Sequence, residues 1–269
     1  MRKCKIGGKV FFVLISLLLA RSAPAQQFDS QAEQQLAQLV NLERARAGLP
    51  SLKVDDRLTE AARAHTTLMA QQKQLTHQLP GELPLQLRLA ASKLRFDNDA
   101  ENVAYDSTVE GAHQDLMHSP GHRENILSPK YNTIGIGVLR VGDVYWVTQD
   151  FANRLQEYSV NDAENAIIAA WERERRRARL PQASVMHVPR LRTMACAMAK
   201  KGKLDTRAML VLAEARSAVA YTEADPTKLP PDAVGTAHDQ AVKRIAVAAC
   251  FGDGPKYPAG VWWACMVFY

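Results

Sequence analysis

The chain has 269 residues, enough for one large domain or two of ordinary size. Five of its 34 Lys and Arg fall in residues 1–25, which hold no acid, so 29 basic face 28 acidic side chains in the remainder. That balance excludes the global basic footprint of a nucleic-acid-binding protein, and no apolar run is long enough to predict a transmembrane helix.

In chain order, Arg2, Lys3, Lys5 and Lys9 precede the apolar run Val10 to Ala20, and Ala23-Pro24-Ala25 fits a small-x-small cleavage site. Residues 1–25 therefore read as a secretory signal peptide, and the mature protein is expected to be secreted, periplasmic or extracellular. Export permits disulfides. Cys4 leaves with the signal, and Cys196, Cys250 and Cys265 allow one bridge and one free thiol.

Ser30 and Glu33 predict a capping box, with Leu36, Leu39 and Val40 on the buried face and Gly48-Leu49-Pro50 as the stop. A second helix is predicted from Asp55 or Asp56, with Leu58, Ala61, Ala62, His65, Leu68 and Met69 facing inward. On that face His65 reads as a hydrogen-bonded core histidine. Short helices follow near 85–94 and 109–117. Glu101-Asn102-Val103-Ala104 reads as a strand. Residues 132–140 and 144–152 read as two strands turning at Val141-Gly142-Asp143. Pro120 and Gly121 are expected to break the helix between His118 and His122. The economical architecture is α+β, a small antiparallel sheet between helical layers.

The second half repeats this order. Aligning Leu49-Pro50 with Leu180-Pro181 places Glu43, Arg44 and Arg46 on Glu174, Arg175 and Arg177. Ile134 to Val138 answers to Ile245 to Ala249, and Tyr145-Trp146 to Trp262-Trp263. The expected organisation is a signal peptide (1–25), one domain (26–157) and a degenerate copy of it (158–269). Residues 26–157 carry 13 basic and 17 acidic side chains, residues 158–269 carry 16 and 11, and opposite signs favour contact between the halves. The run from Arg173 to Arg179, broken by Glu174, reads as a solvated helix face. A helix-to-strand bridge from Cys196 is plausible. Cys250 and Cys265 lie out of line in the inferred hairpin, which disfavours pairing them. In the second copy no counterpart of Glu101-Asn102 is legible, and His238 is a candidate counterpart of His122.

Five ordered motifs carry a resemblance: Thr76-His77, Ala100-Glu101-Asn102-Val103-Ala104, Ser119 to Leu127 (Ser-Pro-Gly-His-Arg-Glu-Asn-Ile-Leu), Ile134-Gly135-Ile136-Gly137, and Trp146 to Phe151. Over about residues 30–153 the chain resembles the bacterial, cysteine-poor branch of the CAP superfamily of cysteine-rich secretory, antigen-5 and pathogenesis-related proteins. The resemblance implies an α-β-α sandwich with a cleft of two His and two Glu. Residue by residue it assigns His77, His122 and Glu101. The family's second Glu has no counterpart in register; Glu124 and Glu110 are merely near in sequence, and Glu124 is carried as a cleft candidate.

Two imidazoles can hold a divalent ion such as Zn²⁺, and a carboxylate can orient one of them. The resemblance thus implies a cleft for a divalent ion and a small ligand, a lipid or a cell-wall fragment. A metal-assisted hydrolase of peptide or glycan and an interaction protein with a vestigial cleft stand as alternatives, and whether catalysis occurs is left open.

Overall fold

The computed structural model describes residues 28–213 and 215–269. The expected signal peptide and Cys4 lie outside them. Helix α1 (Ser30–Arg46) is capped by Asp29, whose carboxylate accepts from the Ala32 amide at 2.9 Å. The expected Ser30–Glu33 capping box does not form. Ser30 already lies inside the helix, and Arg63 grips Glu33 through two bonds of 2.8 and 2.6 Å. A bidentate, charge-assisted pair outcompetes a local backbone bond.

Strand β1 (Lys53–Val54) leads into α2 (Asp56–Gln72), capped by Asp55 and burying Leu58, Ala62, His65 and Met69. Then come α3 (Leu85–Ala91), β2 (Phe96–Asp106), α4 (Val109–His118), α5 (Pro120–Ile126), β3 (Thr133–Val141) and β4 (Val144–Arg154). Pro120 starts a helix as well as ending one. At the first helical position its missing N–H is not needed and its fixed φ is already helical. Ser119 to Leu127 is therefore mostly a short helix.

The sheet runs β1-β3-β4-β2. It is mixed where an antiparallel one was expected, because β1 pairs parallel to β3. Leu36 and Val40 of α1, Ala112 and Leu116 of α4 and Ile126 of α5 pack on one face with Ile134, Ile136, Val147 and Phe151. On the other face α2 lies so close that a Cβ at Gly135 would overlap the Leu58 backbone. The result is an α-β-α sandwich.

The second half continues as α6 (Val160–Arg177), β5 (Ser184–Val185), α7 (Pro189–Lys201), α8 (Thr206–Ala213), β6 (Ser217–Glu223), α9 (Pro231–Ala237), β7 (Arg244–Gly254) and β8 (Tyr257–Phe268). Its sheet runs β5-β7-β8-β6, again with one parallel and two antiparallel pairings. Nothing in it corresponds to α4: residues 224–230 run from β6 straight to α9. Cys196 on α7 is bridged to Cys250 on β7, and Cys265 is a buried free thiol. Cys250 pairs with Trp263 and Cys265 with Ala248, so the two are offset along the hairpin. The Arg95 guanidinium donates to the Ala224 carbonyl at 2.8 Å and lies 4.2 Å from the Phe251 ring centroid, while Lys228 pairs with Asp97 at 3.0 Å.

Candidate ligand cleft

Successive residues of a strand point to opposite faces, so β2 sends Glu101 and Asn102 to different layers. Glu101 is buried on the α2 side. Its Oε1 lies 3.0 Å from His77 Nδ1, and its Oε2 accepts from Arg88 Nη2 at 2.7 Å. Asn102, also buried, donates to the His122 carbonyl at 3.1 Å and to Gln149 Oε1 at 3.2 Å, and accepts from Asn125 Nδ2 at 2.9 Å. This amide chain fixes α5 against the sheet, so the Ser119 to Leu127 block uses Asn125 to place His122.

His77 and His122 consequently face each other, with ring centroids 6.1 Å apart and planes tilted by 55°. The His77 side chain is 58% exposed. His77 Nε2 and both His122 ring nitrogens have no hydrogen-bond partner among the described residues. The loop carrying His77 is tied down from below. His65, fully buried, meets Glu82 Oε1 through Nδ1 at 2.7 Å and the Thr76 carbonyl through Nε2 at 2.9 Å. Glu82 Oε2 in turn accepts from the Leu79 amide at 3.0 Å. His65 is thus the hydrogen-bonded core residue expected, and its bonds orient the cleft.

Asp150 stands opposite Glu101 on β4, fully buried, with neither oxygen in hydrogen-bonding geometry. Burial and the neighbouring Glu101 push its carboxyl well above the usual carboxylate range, which favours its protonated form. Burial also pushes Glu101 upward, but its bond to His77 and the charge of Arg88 outweigh that and hold it below its ordinary value. The same bond from Glu101 raises His77 against its partial burial. His122 is lowered by desolvation and by the charge of His77. The cleft therefore sets one charge-favouring imidazole beside one that resists protonation. Glu101, with both oxygens engaged, stabilises an imidazolium and is no free base.

His77, Glu101 and His122 converge as expected. Glu124 is exposed on α5 and makes no hydrogen bond to the cleft, Glu110 bonds Gln35 on α1, and His118 is exposed. Sequence reasoning missed Arg88, Glu82 and Asp150. Asp150 had a signal, an acid next to Gln149 and Phe151 inside an otherwise buried strand. Arg88 had none, since its role depends on where α3 packs.

The expected metal depends on the donor set of the cleft. A catalytic zinc centre uses three protein ligands, and no group of three or more His, Cys, Asp or Glu among the described residues is arranged to hold an ion. Two imidazoles, with Glu101 already committed, do not fit such a centre.

The second sheet lacks this constellation. By register, Ala218 and Val219 stand where Glu101 and Asn102 stand, and Met266 and Val267 where Gln149 and Asp150 stand. His238 is not the counterpart of His122. Buried Arg44 donates to the Ile126 carbonyl and buried Arg175 to that of Ala237, which aligns His122 with Ala233.

Residues 37–151 match the family model "CAP: Cysteine-rich secretory protein family". This segment is a CAP domain. The uncharacterized protein YkwD of Bacillus subtilis is 31% identical over 134 residues, 49% of this chain and 51% of that protein. The uncharacterized membrane protein YlbC of the same organism is 30% identical over 131 residues, 48% of this chain and 36% of its own length. The chain thus spans about half or less of the curated relatives it matches. Among solved structures, an extracellular SCP-domain protein from Bacillus anthracis is 31% identical, with a TM-score of 0.43 over 46% of this chain and 41% of that one. A cysteine-rich secretory protein from Staphylococcus aureus is 25% identical, with a TM-score of 0.40 over 49% and 41%. No helix of the described residues is long and apolar enough to cross a membrane.

Proposed function

We propose that the CAP domain is the binding module of an exported protein, and that its cleft holds a small ligand between His77 and His122. The observation that carries this reading is the double engagement of Glu101, by His77 at Oε1 and Arg88 at Oε2. A carboxylate so committed supports a protonated His77 and is not itself free to activate water, which favours binding over hydrolysis. The ligand chemistry that complements an exposed imidazolium is a carboxylate or phosphate on a lipid or cell-wall fragment. Residues 158–269 are read as a degenerate CAP-like copy. Its equal strand order and register support this, and the loss of every cleft carboxylate and amide makes it a packing partner docked through Arg95 and Lys228.

Calorimetry with a muramyl dipeptide and, separately, a long-chain fatty acid tests the reading and distinguishes the two sources. Binding that disappears in His77→Ala with His122→Ala supports it; no heat from either ligand overturns it.

A second reading is favoured by the facing imidazoles alone: a divalent ion bridged by His77 and His122, with water completing its shell. Two protein ligands make that site weak. Zinc titration of the same two proteins decides it, and equal heats from both would remove the ion from the cleft.

A further inference from the structure

The two halves share a backbone frame, and one end of the second has been recharged. Arg44 and Arg175 fix the alignment. Each donates from Nε to the carbonyl of the proline after its helix, Pro50 or Pro181, at 2.9 and 2.6 Å. Each then reaches three further carbonyls, of Ile126, Ser128 and Tyr131 or of Ala237, Asp239 and Val242. Thr133 faces Lys53 as Arg244 faces Ser184. Ala100 faces Phe151 as Ser217 faces Phe268.

On this alignment Leu42, Ala45 and Gly48 of the first half become Arg173, Arg176 and Arg179. Asp99, Asn132 and Thr133 become Arg216, Lys243 and Arg244. All six replacements are exposed. They meet at one end of the fold, because Arg175 ties the end of α6 to the residues just before Lys243. The amides of Arg216 and Lys243 bond the carbonyls of Phe268 and Tyr269 at 3.0 and 2.8 Å. Arg179 even keeps the left-handed backbone of its glycine counterpart, φ 58° against 71° for Gly48. That conformation is strained for a residue with a side chain.

Two acids of the described residues near this end are already paired. Glu174 is held by Arg177 and Asp239 lies 3.8 Å from Arg216. No carboxylate side chain of the described residues is within ion-pairing distance of Arg173, Arg176, Arg179, Lys243 or Arg244. Arg244 lies 5.2 Å from the Tyr269 ring centroid. The solvated helix face read from the sequence is thus one part of a larger patch.

We propose that this end of residues 158–269 binds a phosphate-rich linear polyanion. Five of the six groups are guanidinium forks, which match phosphate oxygens two at a time. Arg173 to Arg179 alone spans roughly 9 Å at helical rise, farther than one phosphate can bridge. None of the five principal cavities is lined by any of the six, so the patch is an open surface suited to a repeating ligand. Among the described residues, Val185 and Val211 are the exposed large apolar side chains on the elements next to it.

The test titrates long-chain inorganic polyphosphate into the full chain at low and high salt. Binding at low salt that weakens at least about tenfold at high salt is expected, because exposed charges are screened within a Debye length. Arg176→Glu with Arg179→Glu and Lys243→Glu should weaken it by about tenfold or more. Lys53→Glu with Lys93→Glu and Lys130→Glu, exposed cations of the first half, should leave it within about threefold. Arg179→Gly, which removes charge without backbone strain, should weaken binding while folding normally. No binding at low salt, or equal loss in both triple variants, overturns the proposal. Binding to phosphatidylglycerol vesicles without binding to polyphosphate, or self-association in which the acidic half of a second copy covers the patch, overturns it as well.

Discussion

Asp150 faces Glu101 across β2 and β4, and both carboxyl groups are buried. Folding raises the Asp150 pKa, so the native state binds its proton more tightly than the unfolded chain does. The stability tied to that proton is complete below the ordinary carboxylate value and is lost as pH rises above it, by at most about 1.4 kcal/mol per unit. Asp150→Asn removes that slope and should raise stability at pH 7 more than at pH 4. Urea denaturation at the two values checks this; an unchanged slope would mean that Asp150 is ionised in the native state.

The cleft imidazoles should titrate apart. His77 is held above, and His122 below, the ordinary histidine value. Glu101→Gln should bring His77 down while leaving the folded core in place. Histidine ring resonances followed by NMR against pH measure both. The stabilisation from protonated His77 is present at acid pH and fades as pH rises through its folded value, whereas His122 opposes folding as pH falls. A His77 midpoint unmoved by Glu101→Gln would remove the carboxylate as its cause.

Arg44→Ala and Arg175→Ala should each cost about 3–5 kcal/mol, because each strands several buried carbonyls. Chemical denaturation reads the loss. A cost under about 1 kcal/mol would mean that water replaces the guanidinium at these carbonyls.

The Cys196–Cys250 bridge closes a sequence separation of 54 residues, for which chain entropy predicts a loss of about 4 kcal/mol in Cys196→Ser with Cys250→Ser. Thiol counting on the chain from residue 26, which lacks Cys4, should find one free group. Burial pushes the Cys265 thiol up to about 12, so it should react only after unfolding. Rapid labelling of the native protein would contradict its burial.

Much of this was legible because the signals were local or repeated. The cap of α2 at Asp55, the β3–β4 hairpin at Gly142 and the alignment of Arg44 with Arg175 follow from neighbouring residues or from copied ones. The errors arose where a distant partner intervened. Glu33 left its helix terminus for Arg63, and His238 fell out of register because α4 has no counterpart in the second half.

The sequence by itself determined most of the helices and the β3–β4 hairpin, since these depend on residue type and spacing, and its family resemblance implied the pairing of His77 with His122. Only the tertiary structure decided that Glu101 is consumed by Arg88 and His77, that Asp150 is buried opposite it, and that six scattered cations lie at one end of the second sheet. Those properties come from desolvation and from contacts between elements far apart in the chain, and spacing along the chain encodes neither.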